Sequence, residues 1–139
     1  MSNRTAQRAI GIFLKSRRQL IVDLMRLSTA IESDLRDDAE SLLERFCQQM
    51  VDYLSVGYFR VYGGLLSVQQ TWATPREYAI FDSTTSTAMT FNDHHAGGDR
   101  LDVARIKTEL ATVALALETR FELEDELFNR TRETRAMAV

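Results

Sequence analysis

Residues 42–59, LLERFCQQMVDYLSVGYF, read as an amphipathic helix that stops at a glycine and resumes on aromatic residues. Leu42, Leu43, Phe46, Met50, Tyr53 and Leu54 recur at spacings of three and four, which sets them along one stripe of a helix. Arg45, Gln48, Gln49, Asp52 and Val56 fall on the other stripe, which faces water or a partner. Gly57 supplies the backbone freedom that a helix end commonly needs. The chain then turns an elbow that brings Tyr58, Phe59 and Tyr62 near Asp52. The stretch predicts a recognition surface carried on a helical scaffold.

Toward the N-terminus, Ile10, Phe13, Leu14, Leu20, Ile21, Leu24 and Leu27 keep a helical period from about residue 6 to residue 30. Arg17 interrupts that stripe one turn after Phe13. Its guanidinium either meets a carboxylate of another helix or snorkels out from the edge of the stripe. Ser33 and Asp34 are good helix caps, and Asp37, Asp38 and Glu40 suit the positive end of a second helix over about 35–55. A short third helix is expected over 58–68, weakened by Gly63-Gly64. Thr74-Pro75-Arg76-Glu77 is a capping box with proline at the first helical position, so the next helix starts at Pro75 and runs to about 92. Its run Ser83-Thr84-Thr85-Ser86-Thr87 is poor in helix formers, so packing must hold it.

Asn92 to Gly98 reads as a loop, with Asp99 capping a last helix over about 100–134. Val103, Ile106, Leu110, Val113, Leu117, Phe121 and Phe128 form its stripe. Glu124 stands where that stripe calls for an apolar residue, which makes it a complement to Arg17; Asp125 and Glu118 are the nearby alternatives. The fold implied is all-α: an up-and-down four-helix bundle with an additional short helix, as a single domain over 1–139.

Composition narrows the function. The chain has 139 residues, 45% apolar, with a formal net charge of −3, and no apolar run reaches the length of a membrane span. One cysteine, Cys47, permits no internal disulfide, which agrees with a cytoplasmic protein. Residues 1–31 carry six bases and one acid, whereas 32–52 carry seven acids and two bases. Direct nucleic-acid binding needs a continuous basic face, and this polarity does not supply one. The acidic second helix suits a basic protein partner, or simply the basic first helix.

Catalytic constellations are missing, so the chain reads as no enzyme and no cofactor is implied. There is no glycine-rich phosphate loop, no cysteine pair and no repeated Glu-x-x-His of a di-metal bundle. Asp93-His94-His95 is set aside as a metal site because adjacent residues diverge on a helix and the run abuts Ala-Gly-Gly. The acids Glu122, Glu124, Asp125 and Glu126 lie on a helix without the turned loop that calcium sites use. A metal- or ligand-binding bundle enzyme is therefore the weaker reading.

Phe46-Cys47-Gln48, followed by Val51-Asp52-Tyr53-Leu54-Ser55, Gly57, Phe59 and Tyr62, resembles the signature of the Rsd/AlgQ family. Ala116-Leu117-Glu118, Arg120-Phe121 and Leu123-Glu124-Asp125 resemble that family's C-terminal helix, and Phe13-Leu14-x-x-Arg17, Trp72 and Phe81-Asp82-Ser83 agree with it more loosely. The resemblance implies an all-helical regulator that binds the C-terminal, promoter-reading region of the primary sigma factor of RNA polymerase. It also implies a contact region containing Asp52, Tyr53, Ser55 and Phe59. With the exposed stripe and elbow, the expected partner-binding set is Arg45, Gln48, Gln49, Asp52, Tyr53, Ser55, Tyr58, Phe59 and Tyr62. A phosphotransfer carrier or a stringent-response enzyme is the alternative partner that the resemblance permits. The sequence departs from the family pattern at Tyr58, at Gly63 and in a shorter connection between the first two helices, so the choice of sigma factor is left open.

Overall fold

The computed structural model describes residues 3–34, 36–56, 73–96 and 102–137. Four helices occupy them: α1 (Asn3–Glu32), α2 (Arg36–Val56), α3 (Pro75–His95) and α4 (Val103–Met137). No strand occurs among the described residues, and the fold is an all-α four-helix bundle. The expected short helix over 58–68 lies outside the described residues, as do Gly57, Gly63, Trp72 and Asp99.

Each helix packs on its neighbours around a ring, α1 on α2, α2 on α3, α3 on α4 and α4 back on α1. Side-chain pairs fix the directions. Arg17 meets Tyr53, while Met25 and Thr29 further along α1 share a cleft with Asp38 and Leu42 near the start of α2, so α1 and α2 run antiparallel. Arg120 meets Thr85 while Arg130 meets Glu77, so α3 and α4 do too. The core follows the apolar stripes: Phe13, Leu20 and Leu27 of α1, Phe46 and Met50 of α2, Phe81, Ala88 and Phe91 of α3, and Ile106, Val113, Leu117 and Leu127 of α4 are buried. Fully burying a side chain of the size of Leu or Phe contributes about 1.5–3 kcal/mol, which is why these stripes dictate the packing.

Two helix ends differ from expectation, and the turn between α1 and α2 has a feature of its own. Asp34 adopts a left-handed backbone (φ 56°) in the turn between α1 and α2, with Ser33 N–H bonded to the Thr29 carbonyl. Aspartate is one of the few non-glycine residues that tolerate that conformation, so it serves the turn after α1. Residues 92–95, read as loop, are the last turn of α3, which closes with Ala96 N–H on the Asn92 carbonyl. α4 begins at Val103 rather than near 100, because Asp102 caps it by accepting from Arg105 N–H at 3.1 Å.

At the start of α3 the capping box forms in full. Thr74 Oγ1 accepts from Glu77 N–H at 3.2 Å and Glu77 Oε1 accepts from Thr74 N–H at 2.8 Å. Arg130 of α4 then grips both Glu77 oxygens, at 3.1 and 3.0 Å. In the Ser/Thr-rich middle, Thr84 donates to the Ile80 carbonyl and Thr87 to the Ser83 carbonyl, so these hydroxyls are satisfied within the helix. Arg120 reaches across from α4 and donates to Thr85 Oγ1 at 2.7 Å. That bond and the burial of Phe81, Ala88 and Phe91 hold a segment whose propensity is weak.

Candidate functional site

The sequence points to α2, and α2 has two unlike faces. On its outer face Arg45, Gln48, Asp52 and Ser55 are exposed, and Gln48 Nε2 donates to Asp52 Oδ1 at 3.1 Å across one turn. The exposed acids Asp37, Asp38, Glu40 and Glu44 precede them on the same helix. Among the described side chains, the outer surface of α2 is thus negative over its first half, from Asp37 to Glu44, and Arg45 is followed by Asp52 as the charged residues of the second half.

Two residues expected on that contact strip are held elsewhere. Tyr53 has no exposed surface, because it occupies the apolar stripe one turn beyond Met50 and its ring stacks on Phe13 at 4.6 Å. It belongs to the core, and a partner cannot touch it in this fold. Gln49 is half-buried and donates to Ser16 Oγ of α1 at 3.3 Å, so its amide closes the α1–α2 seam. Tyr58, Phe59 and Tyr62 lie outside the described residues.

Directly behind the outer face sits a buried ionic layer. The Arg17 guanidinium donates from Nη1 to Asp125 at 2.6 Å, from Nη2 to Glu124 at 3.1 Å and from Nε to the Tyr53 hydroxyl at 3.3 Å. Tyr53 in turn donates to Glu124 Oε1 at 2.5 Å. Arg120 Nε lies 3.4 Å from the other Glu124 oxygen, so this fully buried carboxylate stands between two guanidiniums. Phe121 and Phe13 cover the Arg17 guanidinium, with ring centroids 5.0 and 5.7 Å away. Arg120 lies over Phe81 at 5.1 Å. Burial works against the charge of Arg17, yet Tyr53, Asp125 and Glu124 more than offset it and raise its pKa above the ordinary value. Burial, and then the Glu124 charge, push the Tyr53 hydroxyl well above the usual phenol range. It stays protonated as a donor.

The ionic layer fixes the orientation of the candidate face. Tyr53 and Asp52 are adjacent on α2, so the network that locks the Tyr53 ring between α1 and α4 also sets how Asp52 and Ser55 project outward. Asp125, expected only as an alternative to Glu124, joins it on Arg17, and Arg120 is a member that periodicity did not single out. Asp125 is exposed at its own position, and Arg120 lies one turn before Glu124 on a face that is apolar elsewhere. Asp23 is a further buried acid that periodicity missed, accepting from Gln19 Nε2 at 3.1 Å.

Cys47 is buried behind the outer face. Desolvation pushes its thiol up to about 11, so it offers no thiolate at neutral pH. His94 and His95 do converge. His94 Nδ1 lies 2.7 Å from Glu109 Oε1, and His95 Nε2 bonds the other oxygen of the same carboxylate. The sequence did not pair them with Glu109, which lies on α4. Partial burial disfavours ionised Glu109, but the bonds from His94 and His95 and the fields of His95 and Arg105 bring its pKa below the usual value.

Four antiparallel helices closed around a buried ionic layer, with a polar acidic face left on α2, define an all-α bundle protein. The chain belongs to the Rsd/AlgQ family: residues 2–131 match the family described as regulator of RNA polymerase sigma(70) subunit, Rsd/AlgQ. It is 33% identical over 133 residues to the regulator of sigma D of Pectobacterium atrosepticum, covering 87% of this chain and 86% of that protein. The regulator of sigma D of Salmonella arizonae is 32% identical over 140 residues (88% and 80% covered), and that of Sodalis glossinidius 34% over 96 residues (68% and 66%). No solved structure matches. No helix among the described residues is long and apolar enough to cross a membrane.

Proposed function

We propose that this protein is an anti-sigma-type regulator that binds the C-terminal, promoter-reading region of the primary sigma factor and limits its use by RNA polymerase. Membership in a family of sigma(70) regulators supports the partner class. The observation that carries the binding mode is the exposed acidic face of α2, which ends at Asp52 beside Tyr53 of the buried Arg17–Glu124–Tyr53 layer. A region that reads promoter DNA through a helix-turn-helix presents a basic surface, and an acidic helix is its electrostatic complement. Covering that surface denies it to DNA. Ser55 and the aromatic residue Phe59 extend the contact in this reading.

Asp52→Arg tests the proposal because Asp52 is exposed and its reversal leaves the core intact. Titrated against the purified sigma region, the variant is expected to lose at least tenfold in affinity, while circular dichroism remains that of the wild type. Phe59→Ala is expected to cost about 2 kcal/mol, as the loss of an aromatic anchor does at an interface centre. Wild-type affinity in both folded variants would move the interface off α2.

A further inference from the structure

We propose that His94, His95 and Glu109 form a binding site for a borderline transition-metal cation, with Zn2+ as the representative ion. The chain contains two histidines in all, and both stand in the last turn of α3 facing one carboxylate of α4. One nitrogen from each ring and one Glu109 oxygen lie within 4.8 Å of one another. A tetrahedral ion with bonds of about 2.0–2.1 Å sets its ligand atoms roughly 3.3 Å apart, so modest side-chain rotations bring these three onto one ion. His94 contributes Nδ1 and His95 contributes Nε2. Each neutral ring then carries its proton on the other nitrogen.

The surroundings favour a cation. The C-terminal end of α3 carries the negative end of the helix dipole. His95 is buried with its ring against Phe91 at a centroid distance of 4.6 Å, so it is held in place, whereas His94 is open to solvent. Glu109 also lines a solvent-open cleft of about 270 Å3 between α3 and α4, bordered by Thr90, Phe91 and Thr112, which supplies an entry path. Arg105 lies 3.4 Å from Glu109 Oε1 and opposes a cation, but its side chain is half-exposed and has room to swing into water. The donor set selects the ion class. Two imidazoles and one carboxylate suit Zn2+, Ni2+ or Cu2+, and they fall short of the all-oxygen shell that Mg2+ or Ca2+ requires. Three protein ligands leave a fourth position to water. Bound there, the ion ties the last turn of α3 to the second turn of α4, three turns along α3 from Thr84 and the ionic layer.

The test uses the full chain, freed of metal with a chelator and carrying no histidine tag. Calorimetric titration at pH 7.5 with ZnCl2 is expected to give one ion per chain, undisturbed by millimolar Mg2+. Because there are two histidines, their imidazole nitrogen resonances provide an independent readout, and both are expected to shift in step with added Zn2+. His94→Ala, at an exposed position, and Glu109→Gln are each expected to weaken binding at least tenfold, while Cys47→Ser leaves it unchanged. Absence of Zn2+ binding, imidazole resonances that do not move at stoichiometric Zn2+, or wild-type affinity in both folded variants would overturn the site.

Discussion

Arg17 shows how a single residue carries a fold argument. An arginine inside an apolar stripe is tolerated when its nitrogens find acceptors, and here Asp125, Glu124 and Tyr53 each accept from a different one of the three. Removing it leaves Glu124 buried with one guanidinium fewer. Breaking a buried pair from one side typically costs about 3–5 kcal/mol, so Arg17→Ala is expected to lower the stability measured by urea unfolding by that amount. A midpoint within a degree or two of wild type in thermal melts would mean that the two charges are independently solvated. Cys47 supplies a second residue-scale expectation. With its thiol at about 11 and its side chain buried, labelling by a thiol reagent at pH 8 should be slow in the native protein and fast in urea. Arg17 and Glu124 were legible in the sequence because each breaks a helical period. Tyr53 was only half legible: its spacing marks it as core, while the resemblance marked it as contact, and its hydroxyl satisfies both its neighbours from inside.

At the scale of the element, the start of α3 was readable because capping chemistry is local. Thr74, Pro75 and Glu77 lie within four residues, and the structure forms the bonds that their order implies. The end of α3 was not readable, because what accompanies His94 and His95 there is Glu109, fourteen residues beyond His95 and on another helix. The start of α4 was misassigned for a related reason: Asp99 and Asp102 are equally good caps by residue type, and geometry selects Asp102. Glu77 joins cap and tertiary clamp. Its bonds to Arg130 and to Thr74 N–H hold its carboxyl at about 2, below the roughly 4.3 of an unfolded glutamate. A depressed carboxyl stabilises the fold above the unfolded pKa and loses that contribution as pH falls from about 5 toward 2. Both partners touch water, so the gain is modest, about 1 kcal/mol. Glu77→Gln should therefore be less stable than wild type by about that much in urea at pH 7, with the gap narrowing at pH 3; a gap independent of pH would assign the loss to packing.

For the whole molecule, periodicity was enough to give four helices and their buried faces, since burial of apolar stripes drives the association. It could not give the α3–α4 pairing of Arg120 with Thr85, nor which polar residues of α2 stay outside. Gln49 and Gln48 are neighbours of the same type, yet one bonds Ser16 across the seam and the other faces water. What emerges is a bundle whose rigid ionic layer backs an acidic face. If that face attracts a basic partner, added salt should weaken wild-type binding to the sigma region, and weaken Asp52→Arg binding less, because the variant has lost its attraction there. Equal salt slopes in the two would show that charge on α2 does not steer the encounter.

The most direct measurement is to map backbone amide signals of the labelled protein by NMR as the sigma C-terminal region is added. The account predicts that the largest changes fall on Arg45, Gln48, Asp52 and Ser55, with little change at Thr112, Leu115 and Thr119 on the far side of α4. Changes concentrated on that far side, with α2 undisturbed, would contradict it.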